Sequence, residues 1–147
     1  MAVAAEEAVR HWVNGREDLV GTPGEPGPLA RGAYLIEQRS PAHGAYAVIN
    51  SQPAGAEPMV AEPSLFTVSR ITATIRAGTI EAAGAAAEAY VDAVRTLTGA
   101  PVPCGDTGVT CRGHDNLMSP QYLPQPADSG EQYAFSVTAD FILQGSS

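Results

Sequence analysis

Residues 71–94 read ITATIRAGTIEAAGAAAEAYVDAV, and this stretch decides the fold class. In its first half, isoleucine and alanine alternate with threonine and arginine, which is the two-residue period of a strand with one buried face. After Gly78 the apolar residues recur at helical spacing, and Thr79 is placed to cap the new helix. The stretch therefore predicts a strand followed by a helix that lies back on the sheet.

The order strand, glycine, helix also occurs in phosphate-binding turns, so a phosphate site is one interpretation of residues 76–79. A phosphate loop needs several glycines, a lysine and a hydroxyl for magnesium, and a dinucleotide turn needs GxGxxG. This turn has a single glycine, and the chain contains no lysine. We therefore interpret Gly78 as a bend between two scaffold elements, with Arg76 near the helix start as the remaining candidate for an anion contact.

The other periodic segments add one helix and several strands. Residues 2–14 place their apolar side chains on one helical face, with Trp12 as a core anchor. The β-rich runs at 32–38 and 45–50 predict a hairpin with a loop longer than two residues. Two short strands are predicted around the Gly-Asp-Thr-Gly turn of 101–111, and the strand at 131–143 is predicted to lie near the middle of the sheet.

Strands and helices do not alternate regularly along the chain, which argues against a doubly wound fold. We predict one α+β domain over residues 1–147, with one mixed or antiparallel sheet and two main helices packed on one face. Long loops rich in proline and glycine complete it, at residues 21–29, 51–63 and 112–130.

Charge and hydrophobicity limit the possible partners. The net charge is −8, from 16 acidic and 8 basic residues, which disfavours binding to nucleic acid by counterion release. No apolar run reaches the roughly 18 residues that span a bilayer, so no membrane is expected. The acidic N-terminus differs from a signal peptide, and we expect the protein to be made in the cytoplasm.

Cys104, Cys111, His114 and Asp115 form the one cluster that resembles a reactive site. A metal site is one interpretation, but structural zinc sites usually contain CxxC pairs, which are missing here. A disulfide across the predicted hairpin is a second interpretation, and two ordinary thiols are the third.

The sequence contains no clear pattern of a catalytic triad. Ser40 and His43 provide two members of a hydrolase triad on paper, but the GxSxG turn that presents such a serine is absent. We therefore predict no enzyme, no cofactor and no catalytic residue.

Four phrases of the sequence resemble the tail terminator proteins of long-tailed (siphovirus-type) phages of actinobacteria. They are VRHWVNGREDLVG (9–21), GAYLIEQRSPAHGAYAVI (32–49), RITATIRAGTIEAAGAAAEAYVDAV (70–94) and EQYAFSVTADFIL (131–143). The resemblance covers about residues 3–143 and rests on the order of elements, without a single diagnostic motif.

The resemblance implies a virion structural protein at the head–tail junction. Its subunits would close into a hexameric ring that caps the tail tube and joins it to the head connector. The implied partners are further copies of the chain, the major tail tube protein and a head–tail connector or stopper protein. DNA would pass through the lumen without specific binding, and the family has no catalytic residues to carry over.

Two alternatives remain at this stage: a connector or stopper (head completion) protein, and a small ligand-binding or enzyme domain. The loops 51–63 and 112–130 are the predicted contacts with other subunits or partners, because long irregular segments often become ordered against a partner. The predicted interface residues are Pro53, Glu57, Pro58, Met59, Leu117, Met118 and Tyr122.

Overall fold

The structure, a computed structural model, describes residues 3–36, 44–51, 59–60, 66–124 and 133–145. The helices are α1 (Ala5–Asn14), α2 (Glu17–Val20) and α3 (Ile80–Arg95). The strands are β1 (Val3–Ala4), β2 (Gly21–Thr22), β3 (Glu25–Pro26), β4 (Ala33–Tyr34), β5 (Tyr46–Ser51), β6 (Met59–Val60), β7 (Phe66–Ala77), β8 (Val102–Pro103), β9 (Val109–Asp115), β10 (Gln121–Leu123) and β11 (Tyr133–Gly145).

Seven of these strands form one mixed sheet with the order β4-β5-β7-β11-β9-β8, in which β10 also pairs with β11. The centre is the long antiparallel pair of β7 and β11, which runs in register from Ala77 opposite Tyr133 to Phe66 opposite Gln144. Both strands alternate apolar and polar residues, so one face of the pair is buried. The predicted central position of the C-terminal strand is confirmed.

The predicted hairpin of 32–38 and 45–50 is wrong in the described residues. Strand β4 pairs with β5 in parallel, with Ala33 opposite Ala47 and Tyr34 opposite Val48, whereas a hairpin requires antiparallel strands. The amide of Ala47 donates to the carbonyl of Gly32 at 2.9 Å, which is one of the hydrogen bonds of this parallel pairing. The β-rich composition predicted the strands, but it carries no information about their relative direction.

Residues 112–130 were predicted to be mostly loop, and this is also wrong for part of the segment. Strand β9 continues to Asp115, and β10 follows at Gln121–Leu123. Both lie on the side of β11 that faces away from β7, β9 beside its second half and β10 beside its first. The predicted pair of strands around the Gly-Asp-Thr-Gly turn is confirmed as β8 and β9.

The helices cover one face of the sheet and bury a single apolar core with it, which confirms the α+β class. Trp12 of α1 is 2% exposed and packs edge-on against Tyr90 of α3 and Phe141 of β11, so its role as a core anchor is confirmed. The many alanines of α3 let that helix approach the sheet closely. Within the described ranges, no helix is both long and apolar enough to cross a membrane.

Asn14, the last residue of α1, connects the helix to the edge of the sheet. Its Oδ1 accepts a hydrogen bond from the backbone amide of Ala33 at 2.8 Å, and its Nδ2 donates to the Ala33 carbonyl at 3.3 Å. Gly32 has a φ of +78°, and a Cβ on it would lie 2.3 Å from the Asn14 Oδ1. Glycine is therefore required there both for its backbone conformation and for space.

Candidate interaction surface

A groove of about 260 Å³ runs between α3 and the segment that links β9 to β10. We call it the α3 groove. Its lining residues are Glu88, Val91, Arg95, Leu117, Met118, Ser119 and Pro120. Four of the seven lining residues are apolar, but most of the exposed lining surface is polar, and the charged side chains come from the helix.

Helix α3 forms one wall of the α3 groove, and it is stabilised by an N-cap and by the burial of its apolar side chains. The Thr79 hydroxyl accepts a hydrogen bond from the Ala82 amide at 3.1 Å, which confirms the predicted N-cap. The same bond occupies one of the backbone amides at the helix start. A bound phosphate would otherwise accept its hydrogen bond from such an amide. Tyr90 and Val94 are fully buried, so the helix is fixed against the sheet and presents Glu88 to solvent.

The opposite wall is pinned to the side of β11. The amide of Met118 donates to the carbonyl of Thr138 at 2.9 Å, between the parts of β11 that pair with β9 and with β10. Asn116 has a φ of +51°, the left-handed conformation that turns the chain out of β9. Its Nδ2 donates to the Asp140 Oδ2 at 2.8 Å, which fixes this turn to the sheet.

The ionised carboxylate of Asp140 holds this turn through its hydrogen bonds. The Arg70 Nε donates to the Asp140 Oδ1 at 2.9 Å from the neighbouring strand. The Arg70 hydrogen bond, helped by the one from Asn116, holds the pKa of Asp140 below its ordinary value of 3.8, although partial burial opposes the shift. The carboxylate therefore stays charged at neutral pH and keeps both donors.

Exposed apolar side chains continue the α3 groove along β10. Met118 is 49% exposed and Tyr122 is 42% exposed. The Tyr122 ring lies 5.4 Å from the Phe135 ring, measured between centroids, and a Cβ on Gly84 would lie 3.8 Å from Phe135. Met118 and Tyr122 are thus two large apolar side chains left exposed on this side of the sheet, and exposed apolar surface that forms a patch marks protein–protein contacts.

The predicted interface residues have different outcomes. The structure brings Leu117 and Met118 together in the α3 groove and places Tyr122 on the adjacent strand β10. Met59 lies in β6, where it is opposite Ala4 of β1. Pro53, Glu57 and Pro58 lie outside the described residues.

Sequence reasoning missed several exposed apolar residues. Leu35 and Ile36, which directly follow β4, are 37% and 74% exposed, and Val68 on β7 is 61% exposed. The sequence pattern places Leu35 and Ile36 in a strand of the predicted hairpin. The sequence does contain a signal that one of them is exposed, because two adjacent bulky residues on a strand cannot both face the same core.

The cysteines are two free, fully buried thiols. The residue opposite Cys111 on β8 is Val102, so Cys104 is not its direct cross-strand partner. Burial raises the pKa of Cys104 to about 12 and also raises the pKa of Cys111, so neither thiol is a ready nucleophile or metal ligand. Of the three interpretations from the sequence, the structure has the two ordinary thiols.

His114 and Asp115 point to opposite faces of β9. His114 is opposite the buried Phe141, and Asp115 is opposite Asp140 on the other face. The His114 Nδ1 donates to the Leu97 carbonyl at 2.8 Å, which is a structural contact. Across the ranges that the structure covers, no three His, Cys, Asp or Glu residues are grouped as a metal site. Ser40 and His43 lie outside those ranges.

Comparisons with protein-family models, with curated proteins and with solved structures found no match. A functional proposal therefore rests on the sequence, geometry and chemistry of the chain itself.

Proposed function

We propose that this chain is a virion structural protein, the tail terminator of a long-tailed phage. In this proposal its subunits form a hexameric ring at the head–tail junction, between the tail tube protein and a connector or stopper protein. The resemblance of the four sequence phrases supports this assignment, and their order fits the α+β fold with its central strand pair.

The observation that carries the proposal is the α3 groove with its exposed apolar neighbours. Met118 and Tyr122 present large apolar surfaces to solvent on a wall that hydrogen bonds hold in place. Preformed apolar surface on rigid elements is suited to a partner protein, because little conformational entropy is lost when it is covered. A ring subunit needs such surfaces for its neighbours.

The size of the α3 groove favours a protein partner over a small ligand. Its volume of about 260 Å³ is below the roughly 300–1,000 Å³ of typical small-molecule sites, and its charged groups lie on the solvent side of α3. The overall charge of −8 also suits a channel wall along which DNA slides without adhering. Both features are compatible with a terminator ring, and both also fit other proteins.

The first experiment measures the assembly state. Native mass spectrometry of the purified protein across a concentration series should show a particle six times the 15.2 kDa of the chain, and negative-stain images should show six-fold rings. Mass analysis of purified virions should detect the same chain. A protein that stays monomeric at every concentration and is missing from virions would refute the proposal.

A second experiment separates a terminator from a stopper or head completion protein. The purified chain is added to tail tube protein that is polymerising in vitro, and tube lengths are measured by electron microscopy. A terminator caps growing tubes and shortens them in proportion to its concentration. Unchanged tube lengths, together with binding to purified tailless heads, would instead identify a stopper.

A further inference from the structure

The end of α1 carries the only Asn–Gly pair in the sequence, Asn14–Gly15. The two other asparagines of the chain precede the bulkier residues Ser51 and Leu117. The side-chain amide of an asparagine can be attacked by the backbone nitrogen of the next residue, and glycine hinders this attack least because it has no side chain. Asn14 and Gly15 are both exposed, so water reaches the pair. Asn14 is therefore the asparagine of this chain that is chemically most prone to deamidation.

The fold occupies both of the groups that would react. The backbone amide of Gly15 donates a hydrogen bond to the His11 carbonyl at 3.1 Å. The Asn14 side chain accepts from the Ala33 amide at 2.8 Å and donates to the Ala33 carbonyl at 3.3 Å. Asn14 is also the last residue of α1, and the attack requires its backbone to leave the helical conformation. The reaction therefore needs a local opening of the contact between α1 and β4.

We propose that Asn14 is a modification site, and that the contact between α1 and β4 controls the rate of its deamidation. When this contact opens, the Gly15 nitrogen loses its proton and attacks the Asn14 Cγ, and the side-chain nitrogen takes up a proton and leaves as ammonia. The product is a cyclic succinimide. Water then adds to either of its two carbonyl carbons and opens the ring, which leaves aspartate or isoaspartate at position 14. Water is the co-reactant, and the inference is independent of the proposed tail terminator function.

Deamidation weakens the contact that slowed it, so the change acts in one direction. A carboxylate at position 14 still accepts from the Ala33 amide, but it has lost the Nδ2 donor and places a negative charge beside the Ala33 carbonyl. The new charge also lies at the C-terminal end of α1, where the helix dipole disfavours an anion. Isoaspartate in addition lengthens the backbone by one carbon before Gly15. The modified chain therefore holds the edge strand β4 more weakly than the original chain does.

The first test measures the deamidation rate of each asparagine by peptide mapping with mass spectrometry, in mildly alkaline buffer. In the chain unfolded by urea, Asn14 should react faster than Asn50 and Asn116. In the folded wild type, Asn14 should react at least about tenfold more slowly than in urea, because opening must break its hydrogen bonds. Equal rates for Asn14 in the folded and unfolded chain would overturn the proposal. An unfolded chain in which another asparagine reacts first would also overturn it.

Two glycine variants separate the chemistry from its control by the fold. In Gly15→Ala the backbone φ of −88° suits alanine and the new Cβ meets the His11 carbonyl at 3.4 Å, so the fold should persist while the methyl group slows the attack. Gly32→Ala places a methyl group 2.3 Å from the Asn14 Oδ1, so it should displace this side chain and speed deamidation of the folded chain about tenfold. Wild type in urea just below the unfolding transition tests the same point without a mutation, since its rate should rise with urea. An unchanged rate under both conditions would overturn the control by the contact.

Asn14→Asp tests the consequence of the modification, since aspartate is one of its products. Its equilibrium constant for unfolding should be about tenfold larger than that of the wild type, and the Ala33 amide should exchange its hydrogen faster. Asn50→Asp is the matched control, because it adds the same charge at an exposed position of the sheet, and it should change both quantities much less. Equal effects of the two variants would show that added charge, and not the contact with β4, weakens the fold.

Discussion

The hydrogen bonds between Asn14 and Ala33 predict a measurable loss of stability in an Asn14→Ala variant. Ala33 is 2% exposed, so water cannot easily replace the partner of its amide group. Losing the 2.8 Å bond to a buried amide costs about 1–3 kcal/mol, and the 3.3 Å bond adds less. We expect the free energy of unfolding to fall by about 2 kcal/mol, which for a chain of this size lowers Tm by roughly 6 °C.

The assay is urea unfolding followed by tryptophan fluorescence at low protein concentration, so that assembly does not add to stability. Trp12 is the sole tryptophan and is 2% exposed in the folded chain, which makes it a clean reporter. Asn50→Ala is the matched control, because Asn50 is exposed on the sheet. We expect this control to change stability by less than about 0.5 kcal/mol.

A double-mutant cycle with Gly32→Ala tests whether the Asn14–Ala33 hydrogen bonds stabilise the fold. The added methyl group would clash with the Asn14 Oδ1, at 2.3 Å, and would also strain a φ of +78°. In the Asn14→Ala background the clash disappears and only the backbone strain remains, so Gly32→Ala should cost less there than in the wild type. Equal costs in both backgrounds, or an Asn14→Ala variant as stable as Asn50→Ala, would show that this contact does not hold the β4 edge.

Three further predictions use the same unfolding assay. Gly84→Ala should raise the free energy of unfolding by about 0.5–1 kcal/mol, because the helix interior favours alanine and the new methyl group meets an aromatic ring at an ordinary 3.8 Å; a loss of stability would contradict this packing. Tyr90→Phe should be neutral or stabilising by about 1 kcal/mol, because the buried Tyr90 hydroxyl has no hydrogen-bond partner among the described residues, and a clear destabilisation would reveal one. Asp140→Asn should destabilise at pH 7. Since Arg70 lowers the folded-state pKa of Asp140, that stabilisation is present above the ordinary value of 3.8 and is lost as pH falls below it, so wild type and variant should converge in acid; a constant difference down to pH 2 would contradict the shift.

The sequence predicted the long elements well because their patterns are local. The alternation in β7 and β11 and the helical spacing in α3 are each repeated several times along one stretch of chain, and burial of one face follows directly. The parallel pairing of β4 and the position of β10 were not predictable in this way. Each strand has only two or three residues, and its pairing depends on partners elsewhere in the chain.

One wall of the α3 groove was predicted from the sequence and the other was not, because a local pattern exists for only one of them. The choice of Leu117, Met118 and Tyr122 rested on the long, irregular stretch of residues 112–130, and the structure places these residues around one groove and its adjoining strand. The other wall, with Glu88 and Val91, was not predicted because Val91 belongs to the apolar stripe of α3. Only the tertiary packing decides that this stripe ends beside the 116–120 segment.

The central position of β11 has a consequence for how the chain folds. Its partners in β7 lie 56 to 78 residues earlier in the sequence, from Ala77 paired with Tyr133 to Phe66 paired with Gln144. Contacts of such high sequence separation form slowly, because a long loop must close before they are made. During synthesis, β7 and α3 leave the ribosome with the middle of their sheet missing. The nascent chain therefore exposes an unpaired strand edge until β11 emerges, and an unpaired edge of this kind favours aggregation.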